Sequence, residues 1–268
     1  MMLQFAPIMS VQERWWTLLR GEGPVLATAI HDGHAVREDL ADQFALSSAE
    51  RLREEDPFTG FVIQDAPNAL VAHRSRFEVD LNRALDSAVY REPADCWGLR
   101  VWKRPLEADV VAASRRYHAR FYAEVRRVLD QMAADFPRFV VLDVHSYNHR
   151  RDGPDAPPTP PEAAPDINIG TFSMPRERWA HVVDPLIEAL RDFDFMGRTL
   201  DVRENVAFQG KGELARFVHE TWPMQGCAIA FEFKKFFMDE WTGEPDPEAL
   251  EAMRRLISHS TDLLARLA

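Results

Sequence analysis

Short apolar runs rich in β-branched residues recur along the chain: VLATAI ahead of His31, VIQDAPNALVAH over 62–73, FVVLDVHSY over 139–147, INIGTF over 167–172, TLDVREN over 199–205 and CAIAFEF over 227–233. Between them lie segments whose apolar positions recur every three or four residues, over 107–134, 177–192 and 247–267. The first pattern predicts buried strands and the second amphipathic helices. Their alternation predicts an α/β fold, with a central mixed, mostly parallel sheet flanked by helices. No repeat of 20–50 residues is present. The segment 151–165, RDGPDAPPTPPEAAP, holds six prolines in fifteen residues, so it cannot be a helix or an interior strand. It is expected to be a long loop, either a solvated excursion or a flap beside an active site. No other shift in composition marks a boundary, and a single domain over 1–268 is expected.

With 46% hydrophobic residues, a chain of 268 residues can bury a full core without covalent staples. Its 32 basic and 43 acidic side chains give a net charge of −11. That balance argues against a nucleic-acid or acidic-membrane partner and requires any anionic ligand to be caught by a local group of arginines. Two cysteines, Cys96 and Cys227, stand 131 positions apart, too sparse for a disulfide framework or a cysteine zinc site. The opening MMLQFAPIMSVQERWW lacks the basic and apolar regions of a signal peptide, and no run is long enough to span a membrane. A soluble, cytoplasmic protein is expected; its oligomeric state is not legible.

Ligands of open α/β sheets collect at the carboxyl ends of the strands, so the polar residues closing each run carry the candidate chemistry. One run ends in His31-Asp32-Gly33-His34, another in Asp143-Val144-His145-Ser146, and the last contains Phe231-Glu232-Phe233-Lys234. Two histidine-bearing strand ends and one carboxylate-bearing end suit a metal with three nitrogen or oxygen ligands, plus a separate carboxylate as proton acceptor. The stretch 74–83, with Arg74, Arg76, Arg83 and Asn82, can hold a substrate carboxylate and face a developing oxyanion, or can be a surface strand of paired charges.

These residues resemble a known family. Asp80-Leu81-Asn82-Arg83, the His145-Ser146 pair and the Phe231-Glu232 pair are similar to signatures of the zinc carboxypeptidase superfamily, and within it the chain most resembles the N-formylglutamate amidohydrolases. The segment Asn205–Gly212 is similar to that family's N-x-P-F-x-G-G loop, and Phe237-Met238-Asp239-Glu240 to its YMDE segment. The resemblance implies a phosphorylase/hydrolase-like, zinc carboxypeptidase-like fold. It further implies one zinc ion and hydrolysis of the amide of a small N-acylated, for example N-formyl, amino acid with a free carboxylate. Carried over residue by residue, it makes His31 and His145 metal ligands and Glu232 the general base. Arg76 would face the oxyanion, and Asn82 and Arg83, with Asn205 and Lys211, would contact substrate.

The chain also departs from the pattern. His34 stands where zinc carboxypeptidases place a glutamate, and Asp32 where the amidohydrolases place a serine. His34 and Asp56 are therefore equal alternatives for the third ligand, with Glu55 behind them. Ala207 replaces a proline, and Lys211 separates Gly210 from Gly212. Lys211 or Lys234 can add to the capture of the anion with Arg76 and Arg83, or Lys234 and Lys235 simply pair with Asp239 and Glu240. The rival functions are a carboxypeptidase-like or deacylase metallohydrolase of larger substrates, and a non-catalytic ligand- or metal-binding domain of the same fold.

Overall fold

In the computed structural model, which describes residues 15–268, seven strands form one sheet in the order β1-β3-β2-β4-β7-β5-β6. Residues 1–14, and with them most of the opening segment read for a signal peptide, lie outside the described residues. The strands are β1 (Trp16–Leu19), β2 (Val25–Ala29), β3 (Ala69–Ala72), β4 (Phe139–Tyr147), β5 (Ile167–Gly170), β6 (Val202–Glu204) and β7 (Gly226–Lys234). β3, β2, β4 and β7 run parallel; β1 and the β5/β6 pair run against their neighbours β3 and β7. The mixed, mostly parallel sheet expected from the sequence is the one observed.

The helices are α1 (Glu38–Ala41), α2 (Ser48–Glu54), α3 (Thr59–Val62), α4 (Ala108–Asp135), α5 (Ala180–Asp192), α6 (Glu213–Thr221) and α7 (Pro247–Leu267). The three long periodic segments of the sequence are α4, α5 and α7. The apolar run 62–73 is not one strand: Val62 closes α3, and only Ala69–Ala72 is extended. Asp65, Pro67 and Asn68 interrupt the run and turn the chain between the two. Local capping sets several helix ends. Ser47 and Glu50 form a capping box that starts α2, and Pro57 follows soon after that helix ends. Asp246 accepts from Glu248 N and Ala249 N to start α7, which has Pro247 in its first turn.

β4 and β7 are buried on both faces, which explains why their sequences are nearly continuous apolar runs. Val140, Leu142, Val144, Ile229 and Phe231 pack with Leu186 of α5 and Leu256 of α7. The alternate positions Phe139, Val141 and Ala228 pack with Val125 and Leu129 of α4 and Val218 of α6. Truncating a fully buried residue such as Leu129 to alanine would cost about 2–5 kcal/mol. Toward the carboxyl ends, the α4/α6 face exchanges apolar for polar residues, and alternation places Asp143 and His145 of β4 beside Ala230 and Glu232 of β7 on that face. A smaller cluster of Leu40, Phe44, Phe77, Tyr90, Cys96 and Trp102 packs apart from the two layers of the sheet.

Candidate metal centre and active site

Three elements bring the site together. His31 follows the end of β2, His145 lies near the end of β4, and Asp56 sits in the turn after α2, where its N–H donates to His31 O at 3.0 Å. All three are 98% buried. One ligand atom from each lies within 4.8 Å of the other two, the sole such group of histidine, cysteine or acidic side chains among the described residues.

The outer nitrogens of both rings are already held. His31 Nε2 pairs with Asp80 Oδ1 at 2.7 Å, and His145 Nε2 with Asp143 Oδ2 at 2.9 Å. Asp143 is fixed by the Thr28 hydroxyl at 2.6 Å, and Asp80 by Asn82 N at 2.9 Å, Arg76 Nη2 at 3.0 Å and the Tyr90 hydroxyl. With Nε2–H donating outward, each neutral ring turns a lone pair at Nδ1 toward Asp56 Oδ2, at 3.4 Å from His31 and 2.9 Å from His145. Lone pairs facing a carboxylate repel unless a proton or a cation sits between them. His31 Nδ1 has no hydrogen-bond partner among the described residues. Two imidazole nitrogens and a carboxylate oxygen, each ring backed by a carboxylate, form a donor set that fits zinc or a similar divalent ion. Burial raises the pKa of Asp56, but the two imidazoles that face it outweigh burial and hold the carboxyl well below the usual range.

Glu232 is the cross-strand neighbour of His145 and lines the same cavity of about 270 Å³. Burial pushes its carboxyl up to about 7, with the neighbouring His145 pulling the other way. A carboxyl near neutrality at the wall of a cavity is suited to exchanging protons at working pH. Arg76, Asn82 and Arg83 line this cavity too. Arg76 is committed to Asp80, whereas Arg83, with its side chain 37% exposed, donates to Asp95 O at 2.8 Å and lies 3.6 Å from Asp80.

The three residues read as alternatives for the third ligand have different surroundings. Asp56 joins the two histidines and His34 does not: its Nδ1 lies 2.5 Å from Glu55 Oε2 and its Nε2 2.7 Å from Ser48 Oγ. Gly33, between His31 and His34 in the chain, is packed against the His73 backbone, where a side chain would not fit. Glu55 is fully buried, between His34 and the Ser75 hydroxyl. Asn205 is turned inward, its Oδ1 accepting from Thr171 N and its Nδ2 donating to Thr171 Oγ1, both at 2.9 Å. Lys211 lines a neighbouring cavity shared with Asn82, Phe208 and Glu232, and its Nζ lies 4.0 Å from the Phe172 ring centre.

The expected pairing of Lys234 and Lys235 with Asp239 and Glu240 is not found. Lys234 pairs with Asp166 at 2.8 Å. Lys235 is 99% buried at the cavity wall and donates to Arg53 O at 2.5 Å and Glu55 O at 2.7 Å. β7 ends at Lys234, and the bend that follows, not strand alternation, turns Lys235 to the cavity wall. Burial lowers its pKa to about 8. Sequence reasoning also passed over Trp97 and Asn148, which line the cavity from loops with no periodic pattern. The proline-rich segment begins at that wall with Arg151 and continues as turns without helix or strand. Among the described residues, no helix is long and apolar enough to cross a membrane.

A family model, N-formylglutamate amidohydrolase, matches residues 23–237, and the chain belongs to that family. Among solved structures, the chain is similar to an N-formylglutamate amidohydrolase from Ralstonia eutropha JMP134, with a TM-score of 0.75 and 19% identity over 94% of this chain and 97% of that one. It is also similar to the gene product Atu2144 from Agrobacterium tumefaciens, with a TM-score of 0.64 and 14% identity over 94% and 96% of the two chains. At these identities the two structures establish the shared fold. No curated protein matches the sequence.

Proposed function

We propose that this member of the N-formylglutamate amidohydrolase family is a metal-dependent hydrolase that cleaves the amide of a small N-acylated amino acid with a free carboxylate. The observation that carries this reading is the buried group of His31, Asp56 and His145, with His31 Nδ1 lacking a hydrogen-bond partner among the described residues and Glu232 beside His145. His31 Nδ1, His145 Nδ1 and Asp56 would hold one divalent ion, zinc by the chemistry of the donors. When bound, that ion supplies Lewis acidity for the attack of water on the amide carbonyl.

The rest of the chemistry belongs to the chain. Glu232 takes a proton from the attacking water and passes it to the leaving amine. A carboxyl raised to about 7 can do both, because neither protonation state is far out of reach at neutral pH. Arg83 and Asn82 receive the substrate carboxylate, and Arg76 faces the oxyanion, so that the scissile bond is oriented before reaction. Asp80 and Asp143 keep each imidazole in one tautomer and one orientation. A purely ligand-binding role would leave a buried, proton-poised glutamate beside the histidines without a task.

The test is a pair of measurements on purified protein, metal content and hydrolysis of N-formyl and N-acetyl amino acids after zinc loading. About one tightly held divalent ion per chain and metal-dependent release of the free amine are expected. Stoichiometric absence of metal after reconstitution would remove the reading. Peptide and deacylase substrates in the same screen decide the alternative of larger substrates, which the open cavity next to the site keeps in play.

A further inference from the structure

Beside the catalytic cavity lies a second one of about 420 Å³, and the two share Glu54, Trp97, Asn148, Arg151 and Phe208 in their walls. The catalytic chamber therefore continues outward into a larger one. Its two cations, Arg53 and Arg151, both pair with one carboxylate, that of Glu54. Glu54 lies 3.3 Å from Arg53 and 3.1 Å from Arg151, and Glu240 accepts the backbone N–H groups of His149 and Arg150. An anionic side chain would have to compete with Glu54 for Arg53 and Arg151.

Aromatic surface and one amide remain. Trp97 is 48% exposed and Phe208 39%, although each lines both chambers. Trp97 is in the left-handed region, φ 48°, next to Gly98 at φ 84°, a conformation that a bulky residue rarely adopts. Arg76, which also binds Asp80, lies with its guanidinium 4.9 Å from the indole centre. Phe208 is braced by Tyr147, ring centres 5.4 Å apart. Asn148 is 93% buried, and its Oδ1 has no hydrogen-bond partner among the described residues. A buried amide left unmatched in a cavity wall is a vacancy for a polar group of a ligand.

From these observations we infer that the outer chamber is a specificity subsite for an aromatic group of the substrate, flanked by Trp97 and Phe208 with Asn148 as its polar contact. The substrate class becomes N-acyl amino acids with aromatic rather than acidic side chains. This inference rests on the amidohydrolase reading for the placement of the reacting bond, and the neutrality and aromatic lining of the outer chamber give it its selectivity.

The experiment measures binding apart from turnover. Zinc-loaded Glu232→Gln protein is titrated by calorimetry with N-formyl-L-phenylalanine, N-formyl-L-glutamate and N-formyl-L-alanine, and the same series is repeated with Trp97→Ala and with Phe208→Ala added. N-formylphenylalanine is expected to bind at least tenfold more tightly than N-formylglutamate, and either added substitution to reduce that preference about tenfold. Equal or tighter binding of the glutamate compound, no binding of any of the three, or a preference unmoved by both substitutions overturns the subsite. Hydrolysis by the native protein separates the two levels. A binding preference without turnover of any compound sinks the amidohydrolase reading, and turnover that favours the glutamate compound sinks the subsite alone.

Discussion

At the amino end of β7, the N–H of Ala228 donates to His219 Nε2 at 2.9 Å, and His219 Nδ1 meets the Ser173 hydroxyl at 3.0 Å. At the carboxyl end of the same strand, Glu232 lies in register with His145, whose ring is held between Asp143 and Asp56. Both ends bury a histidine, each less than a tenth exposed. Only the partners differ. Neutral partners hold His219 in one neutral tautomer, and burial lowers its pKa to about 4. Carboxylate partners direct the Nδ1 atoms of His31 and His145 onto one point beside a third carboxylate. A histidine becomes a candidate ligand through what holds its far nitrogen, and burial alone does not make it one.

The largest effects should come from dismantling the charged end. Asp56→Ala removes the one carboxylate both Nδ1 atoms face, and is expected to abolish stoichiometric metal binding and with it activity; elemental analysis of the purified variant checks this. His34→Ala should keep the metal, because His34 is engaged with Glu55 and Ser48. Metal loss in His34→Ala with retention in Asp56→Ala would reverse the assignment. Glu232→Gln should lower kcat by about 10²–10⁴-fold with metal content intact, the range expected for a general acid–base. Unimpaired turnover would take the role from Glu232.

A smaller loss should follow from changing what the ligands lean on. Asp80→Asn and Asp143→Asn preserve shape but weaken the hold on each Nε2, and about 10–100-fold weaker metal binding is expected in competition with a chelator. Unchanged affinity would mean that the carboxylates serve packing alone. Lys235→Met strips two buried backbone carbonyls, Arg53 O and Glu55 O, of their donor just before Asp56. A loss on the order of 3 kcal/mol in urea unfolding is expected, together with weaker metal binding, since the same ammonium ties the end of β7 to the turn that carries Asp56.

What the sequence revealed follows the same division. Regular elements announce themselves by period, so β4, β7, α4, α5 and α7 were legible, and so were the positions of the candidate residues His31, His145 and Glu232, which close or follow apolar runs. Asp56 was legible only as one of several choices, because it lies in a turn whose approach to β2 depends on the packing of α2 and α3. The short pieces β1 and α6, four and nine residues long, were not predicted. Lys235 and Trp97 were missed for a related reason. Their significance is a matter of which way a loop or strand end faces, and nothing periodic marks it. Asn205 matched a motif, yet the fold uses its amide to hold Thr171.

The mildest prediction tests the neutral end of the strand. His219 has a folded pKa of about 4 against an ordinary value of 6.5, so between those values the unfolded chain binds the proton that the folded chain refuses. Its contribution to stability is complete above pH 6.5 and is lost as the pH falls toward 4. Between pH 7 and pH 5 the loss amounts to about 2 kcal/mol by linkage. His219→Gln keeps an acceptor for the Ala228 N–H but does not titrate, so the variant should lose about that much less than the native protein over the same interval when both are unfolded in urea. Parallel pH dependence in the two proteins would show that His219 is protonated without penalty, and the contrast between the two ends of β7 would then have to rest on geometry rather than on charge.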